Sequence, residues 1–238
     1  YTIRKDLFFD LRSIQQGTGK DFEEYNKPST EYLKKAKIRT GLKIVTQHKA
    51  RPNNINDLEI YQIAINKMID EGKRLNYIDL PQRLKKHKNE TVFTNRFQVI
   101  NPNSCSHTVV AHISGDGHYY IYPDKKQIRS ISIREAARIQ SFPDDFYFEG
   151  GQTASFKQIG NAVPPLMASG IAKKIKEQIP GFVFLESPIG EDPDKRDYMV
   201  SNDKIEATGF IAEWTIEKGI SELVKGYKML NVKRYVNV

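Results

Sequence analysis

The amino-acid sequence predicts a mixed α/β fold of the α+β kind, and three observations support this prediction. Apolar residues recur at helical spacing within residues 56–72. Two β-rich runs, 108–113 and 118–122, are separated by a segment with the composition of a hairpin turn. Ser132 and Glu135 have the spacing of a capping box, which predicts the start of another helix. Helices and strands are therefore predicted in separate stretches of the chain.

The composition narrows the class of protein. The chain has 238 residues, 39% hydrophobic and 28% charged, which suits one large or two small soluble domains. It contains no run of about 18 apolar residues that could cross a membrane, and no charged-then-apolar leader opens it. The single cysteine, Cys105, allows neither an internal disulfide nor a cysteine-rich zinc site. The net charge of +8 permits a polyanionic partner, although ordinary proteins often carry as much.

The first half of the chain is predicted to contain one long helix. Residues 1–49 are polar and irregular, with a basic run at 34–43 and no long periodic segment. In the helix that follows, Asn56 or Asp57 is placed to act as the N-cap, and Gly72 is placed to end the helix.

The second half is predicted to be mainly helical after the hairpin. The predicted elements are helices at 132–142 and 165–180, a short strand at 182–185 and a terminal amphipathic helix at 215–230. Pro180 is the strongest helix breaker between them, and Trp214 is expected to pack against the last helix.

Two blocks in the second half carry a specific family signal. They are Arg129-Ser-Ile-Ser-Ile-Arg-Glu-Ala-Ala-Arg-Ile-Gln-Ser-Phe-Pro-Asp-Asp-Phe146 and Gln158-Ile-Gly-Asn-Ala-Val-Pro-Pro165. In order and spacing they closely resemble the last two conserved blocks of the C5-cytosine DNA methyltransferases. The runs 106–112 and 116–124 also look like the end of the target-recognition region of that family. The resemblance extends over residues 1–179.

The resemblance implies a target-recognition domain, then the closing segment of a Rossmann-like methyltransferase domain, with a short appended tail. Enzymes of this family flip a cytosine out of double-stranded DNA and methylate its C5 with S-adenosylmethionine, after a cysteine thiolate adds to C6. The family's Pro-Cys motif and Gly-rich cofactor block are absent from this sequence, and Cys105 lacks the preceding proline. We therefore expect no catalytic residue, a partial S-adenosylmethionine site and a second chain that carries the catalytic half.

Five residues are candidates for DNA contact: Thr108, Arg129, Arg134, Lys85 and Lys86. Thr108 matches a threonine of the family's target-recognition signature, and its alternative is a strand residue without a ligand. Arg129 and Arg134 match arginines that mainly organise one domain against the other, so a structural role is favoured for them. Lys85 and Lys86 belong to a basic cluster that either meets phosphates or forms a solvated face.

The expected cofactor-binding residues are Asn161, Ala162 and Val163, because they match the block that borders the methyl-donor pocket in the family. Asn161 is also typical of a turn. No metal site is predicted, since His107 and His112 are separated by five positions and two ligands on one strand face need an even separation.

The tail carries a second resemblance. Residues 190–210 and 217–227 look like the carboxy-terminal end of a nucleotide-sugar epimerase or dehydratase of the extended short-chain dehydrogenase family. The Gly-rich dinucleotide turn of such enzymes is absent, and no Tyr-x-x-x-Lys pair lies in a suitable context. The predicted organisation is a recognition region at 1–125, the last two methyltransferase blocks at 126–180 and an epimerase-like tail at 181–238.

The predicted function is DNA binding and target recognition for cytosine C5 methylation, in a cytoplasmic, nucleoid-associated protein of prokaryotic type. Two alternatives stay open. One is a non-catalytic DNA-binding module or a chimera, and the other is a fragment of a nucleotide-sugar epimerase or dehydratase.

Overall fold

The structure is a computed structural model that describes residues 1–86, 92, 94–179, 181, 207–209 and 214–229. The chain forms two compact units, Tyr1–Leu166 and Met167–Val238. The predicted strand at 182–185 and most of the epimerase-like tail lie outside the described residues. The division into a recognition region, two family blocks and a tail remains a prediction, because it concerns family segments and not compact units.

The first unit combines helices with one pair of strands, which confirms the mixed α/β class. Its main elements are β1 (Gly19–Glu24), α1 (Glu31–Lys35), β2 (Ile44–Lys49), α2 (Ile55–Glu71), α3 (Ile133–Ile139) and α4 (Gln152–Asn161). A π-helical turn at Ile3–Leu7 and 3₁₀ turns at Tyr77–Asp79, Gln82–Leu84 and Ala111–Ser114 complete it. Helix α5 (Pro165–Gln178) begins at the end of the first unit. No helix among the described residues is both long and apolar enough to cross a membrane.

The strands β1 and β2 pair antiparallel, with Gly19 opposite Lys49 and Glu24 opposite Ile44. The prediction that residues 1–49 are irregular was therefore wrong. The two strands are separated by 19 residues, so their pairing leaves no periodic pattern within either stretch of sequence. Distant residues also hold the strand pair in place, since the Thr46 hydroxyl donates to the Asp144 carbonyl over 2.9 Å. Gly19, at φ +114°, is required because a Cβ would lie 2.0 Å from the His48 carbonyl oxygen.

The long helix α2 confirms the prediction from helical spacing. It ends at Gly72, which adopts φ +68° and caps the helix in the left-handed conformation. The N-cap, however, is Asn54 and neither Asn56 nor Asp57, because the Asn54 side chain accepts a 2.9 Å bond from the Asp57 amide.

The predicted hairpin at 108–122 is absent, and that prediction was wrong. Ala111–Ser114 forms a 3₁₀ turn, and Ile121 makes single bridges to Val99 and Ser130. The hydroxyl of Tyr120 accepts a bond from the Val110 amide and donates to the Thr108 carbonyl, over 3.2 and 3.1 Å. The backbone groups of Thr108 and Val110, which a hairpin would have paired with another strand, are thus bound to the Tyr120 side chain. The β-branched and aromatic residues of this segment therefore reflect burial instead of strand pairing.

Helix α3 begins at the predicted capping box. The Glu135 amide donates to Ser132 Oγ over 3.1 Å, and the Ser132 amide donates to Glu135 Oε2 over 2.7 Å. Helix α3 packs in a hydrophobic core that also contains the 3–7 turn and α4, through Ala136, Leu7 and Phe156 respectively. A second core packs α2 beneath Phe97 and Ile121.

The second unit contains most of α5 and α6 (Ile216–Met229), both of which confirm predicted helices. Gln178 Nε2 donates to Ser221 Oγ over 3.2 Å, so the two helices contact one another. Trp214 is 62% exposed, and it lines a shallow groove together with Glu217 and Ser221 of α6.

Candidate nucleic-acid interface

Arg129, a sequence candidate for DNA contact, is entirely buried. Its guanidinium makes two bonds to the Glu135 carboxylate, of 2.7 and 2.8 Å, and one of 3.0 Å to the Ile14 carbonyl. Burial alone would raise the pKa of Glu135, but the bonds and charge of Arg129 hold that pKa below its ordinary value. The pair is therefore ionised, and it ties the Ile14 segment to the start of α3.

Arg134 is also fully buried. It donates to the carbonyls of Thr46, Pro143 and Phe146, over 2.7, 2.8 and 2.6 Å, and to the Thr46 hydroxyl. Burial lowers the pKa of Arg134 to about 10, which still leaves it charged at neutral pH. Neither Arg129 nor Arg134 exposes an atom to a DNA phosphate in this structure, because both guanidiniums bind internal oxygens. We therefore favour a structural role for Arg129 and Arg134, in which each joins distant segments of the chain.

Lys85 and Lys86 lie after the 3₁₀ turn at 82–84, beside the first half of α2. Lys86 Nζ lies 3.4 Å from Asp57 Oδ1, and the Lys86 amide donates to the Tyr77 hydroxyl over 2.9 Å. The neighbouring Arg83 forms a two-bond ion pair with Glu59. Carboxylates thus already face part of this basic cluster, whose remaining residues at 87–88 lie outside the described part of the chain.

Thr108 and the cofactor candidates lie close together, although 53 residues separate Thr108 from Asn161 in the chain. The link is Gln140, a buried residue just after α3. Its Nε2 lies 3.4 Å from the Val109 carbonyl, 3.0 Å from that of Ile159 and 3.3 Å from that of Ala162. One side-chain amide therefore holds the Thr108 segment against the end of α4.

The close approach of these segments depends on Gly160, in α4. A Cβ at this position would lie 2.6 Å from the Val110 carbonyl oxygen and 2.7 Å from the Ala111 Cα. Such distances are shorter than a van der Waals contact, so only glycine allows α4 to rest directly on the backbone of the 111–114 turn. The sequence offered a signal for this residue, because Gly160 lies within the matched block 158–165.

Beside Thr108, two histidines contact two tyrosines. The ring centroid of His107 lies 5.1 Å from that of Tyr119 and 5.0 Å from that of Tyr120. The corresponding distances for His112 are 5.5 and 5.6 Å. We call these four rings the His–Tyr cluster. Thr108 is exposed at its edge. No sequence motif pointed to this cluster. Among the described residues, no group of three or more His, Cys, Asp or Glu side chains could hold a metal ion.

Asn161 and Val163 are exposed and Ala162 is half-buried. An exposed amide and a neighbouring apolar side chain are suited to one polar and one apolar contact with a ligand. These residues therefore fit one edge of a site for S-adenosylmethionine.

The solitary cysteine lies beside Tyr1. Cys105 is exposed, with Sγ 4.0 Å from the Tyr1 carbonyl oxygen. No base or cation is hydrogen-bonded to it within the described residues, and such a partner is what activates a thiolate.

Known proteins resemble most of the chain. The type II methyltransferase M.Bpa9945I of Bacillus paralicheniformis is 45% identical over 182 residues, which cover 74% of this chain and 41% of that protein. DNA (cytosine-5)-methyltransferase 4 of Arabidopsis thaliana is 27% identical over 202 residues, covering 75% and 12%. A solved structure described as a DNA modification methyltransferase from an E. coli prophage covers 69% of this chain and 43% of that chain, with a TM-score of 0.41 and 22% identity.

The chain spans about two fifths of the length of the Bacillus relative. The model of the C-5 cytosine-specific DNA methylase family matches residues 4–177, which end before the tail. The epimerase-like interpretation of the tail has no support from these comparisons. Because the family match extends over more than half of the sequence, this chain belongs to the C-5 cytosine-specific DNA methylase family.

Proposed function

We propose that this chain binds double-stranded DNA and supplies target recognition for methylation of cytosine at C5. The observation that carries the proposal is the junction of the Thr108 segment with the end of α4 through Gln140 and Gly160. A DNA-contact candidate and the cofactor candidates are thereby held in one place. Membership of the family supports this reaction, and a protein that binds DNA would be expected at the nucleoid.

The cofactor of this reaction is S-adenosylmethionine, which supplies the methyl group when it is bound. On this chain, Asn161 would bind a polar group of the cofactor and Val163 would cover an apolar part. The Ala162 carbonyl is already bound to Gln140, so the backbone of this edge is fixed before a ligand arrives. The chain thus contributes a partial cofactor site.

The nucleophilic cysteine and the Gly-rich cofactor block would come from residues outside this sequence, such as those of a second chain. The sequence has one cysteine, without a preceding proline, and the family's nucleophile must be a thiolate. We therefore expect no methyl transfer to duplex DNA by this chain alone in an assay with labelled S-adenosylmethionine. Transfer above background would show that the nucleophile lies on this chain.

DNA binding is tested by replacing Thr108 with Glu, and the matched control is Thr153→Glu on the exposed face of α4. Both substitutions add one negative charge at an exposed threonine, but only Thr108 lies in the proposed interface. Like-charge repulsion should weaken binding to labelled duplex DNA about tenfold for Thr108→Glu, with little effect of the control. Equal effects of both substitutions, or no binding by the unaltered chain, would contradict the proposal.

A further inference from the structure

Ser141, just after the end of α3, has a backbone conformation that serine rarely adopts. The Phe142 amide donates to the Ala137 carbonyl over 2.9 Å, and the Ser141 amide donates to the Arg138 carbonyl over the same distance. This pair of bonds closes many helices, and it places Ser141 in the left-handed region, at φ +62°. Glycine is the usual residue at such a position, because a Cβ is disfavoured there.

The side chain of Ser141 is buried and binds the beginning of α5. Its Oγ accepts a 3.1 Å bond from the Leu166 amide. The amides of a first helical turn lack partners inside the helix, and a side-chain oxygen of the preceding residue often binds them. Here the preceding residue, Pro164, has no such oxygen, and Pro165 has no amide hydrogen. The first amide hydrogen of α5 is therefore bound by a serine 25 residues earlier in the chain.

Gln140 and Ser141 together hold both ends of the α4–α5 connection, residues 162–164. Gln140 Nε2 lies 3.3 Å from the Ala162 carbonyl, at the start of the connection. Ser141 Oγ binds the Leu166 amide, two residues beyond its end. The proposed cofactor contacts, residues 161 and 163, lie between these two bonds. Two consecutive buried residues thus fix the cofactor-binding edge from behind.

We propose that Ser141 is a positioning residue for S-adenosylmethionine, which keeps residues 161–163 in the arrangement that binds the cofactor. This inference rests on the proposed function and adds a residue that does not touch the cofactor itself. Glycine would adopt the left-handed conformation without strain, but it has no oxygen to bind the Leu166 amide. An edge that is fixed before the ligand arrives loses less conformational freedom on binding, so the affinity is higher.

The main test compares Ser141→Ala with the matched control Ser130→Ala. Both serines are buried, but Ser130 Oγ has no hydrogen-bond partner within the part of the chain that the structure describes. Binding of labelled S-adenosylmethionine to the whole chain is measured by equilibrium dialysis. Ser141→Ala should weaken binding about fivefold, as expected for the loss of one hydrogen bond, whereas Ser130→Ala should change affinity less than about twofold.

Ser141→Gly separates positioning from stability. Glycine removes the bond to Leu166, but it also relieves the strain at φ +62°. The melting temperature of Ser141→Gly should therefore exceed that of Ser141→Ala, while both variants bind labelled S-adenosylmethionine equally weakly. If Ser141 acted on stability alone, the affinity of Ser141→Gly would instead recover together with its melting temperature.

Hydrogen exchange at the Leu166 amide gives a readout that needs no cofactor. Without the Ser141 hydroxyl this amide loses its acceptor, so it should exchange about tenfold faster in both Ser141 variants. In Ser130→Ala it should exchange at the rate of the unaltered chain.

The possible outcomes separate this inference from the proposed function. If the unaltered chain does not bind labelled S-adenosylmethionine, the partial cofactor site fails, and the role of Ser141 fails with it. If the unaltered chain binds, but Ser141→Ala and Ser130→Ala have equal affinities, only the role of Ser141 is overturned. Unchanged exchange at Leu166 in both Ser141 variants would likewise overturn that role alone.

Discussion

Gly160 is a single residue whose lack of a side chain brings two candidate sites together. In Gly160→Ala the new Cβ would meet the Val110 carbonyl oxygen at 2.6 Å, so α4 and the 111–114 turn would have to separate. Overpacking of this kind destabilises proteins by about 1–3 kcal/mol. We expect a loss of that size in urea unfolding, together with weaker DNA binding.

The control for this substitution is Gly170→Ala in α5. No atom lies within 4 Å of the Cβ that would be added at Gly170, and alanine is favoured over glycine inside a helix by about 0.5–1 kcal/mol. Gly170→Ala should therefore leave stability unchanged or slightly higher. Equal destabilisation by both substitutions would mean that the close contact at Gly160 has no special cost.

At the scale of elements, α3 acts through its buried arginines. Arg138 is fully buried between Asp10 and Asp144, with bonds of 2.6 Å to Asp10 and of 2.8 and 2.6 Å to Asp144. Burial would lower the pKa of Arg138, but the two carboxylates raise it above its ordinary value. The arginine is therefore charged under all ordinary conditions. Together with Arg39, which pairs with Asp10 over 2.9 Å, it neutralises the two buried carboxylates.

Arg138→Met should destabilise the first unit by about 3–5 kcal/mol, because it leaves uncompensated charge in the interior. The control is Arg83→Met, which breaks an ion pair with Glu59 on the surface and should change stability far less. Urea unfolding followed by circular dichroism measures both. Similar losses for the two variants would show that burial adds nothing to the importance of Arg138.

The sequence predicted those elements whose signals are local. The box formed by Ser132 and Glu135 and the stop at Gly72 both act within a few residues, and both recur in the structure. The β1–β2 pair was missed because each strand is recognisable only beside its partner. The hairpin at 108–122 was wrongly predicted, because β-branched residues signal burial as well as strand pairing.

The candidate site was predictable only in part, because contacts between residues far apart in the chain leave no local sequence pattern. The matched blocks pointed to Thr108 and Asn161 separately, but no local pattern shows that Gln140 joins their segments. Buried Arg129 donates a hydrogen bond to the carbonyl of Ile14, which lies 115 residues away in the chain.

For the molecule as a whole, buried His48 makes stability depend on pH. Its Nε2 donates to the Arg12 carbonyl over 2.8 Å, and its Nδ1 lies 3.0 Å from Ser132 Oγ, where it accepts in the neutral form. Burial lowers the pKa of His48 below its ordinary value of 6.5, although Glu135 and the bond to Arg12 oppose the shift. Between the lowered pKa and 6.5, the unfolded chain therefore binds more protons than the folded chain.

It follows that stability is full above about pH 6.5 and declines as the pH falls toward the lowered pKa of His48. Urea unfolding at several values between about pH 5 and pH 8 should show this decline. His48→Gln keeps one donor and one acceptor but cannot titrate, so its stability should vary less over the same range. An identical pH dependence in both proteins would assign the decline to other groups. The stabilisation from ionised Glu135 is full above about pH 4.5 and is lost only below that value, outside this window.

The long reach of the α3 arginines has a consequence for how the chain folds on the ribosome. Arg138 donates to the Leu7 carbonyl across 131 residues, and Tyr25 donates to Asp144 across 119. The segment 3–25 is therefore synthesised long before these two partners, Arg138 and Asp144. Folding of the first unit should be late and slow, as for other chains dominated by distant contacts. A nascent chain whose synthesis has not yet passed residue 145 would expose the apolar side chains of this segment to chaperones.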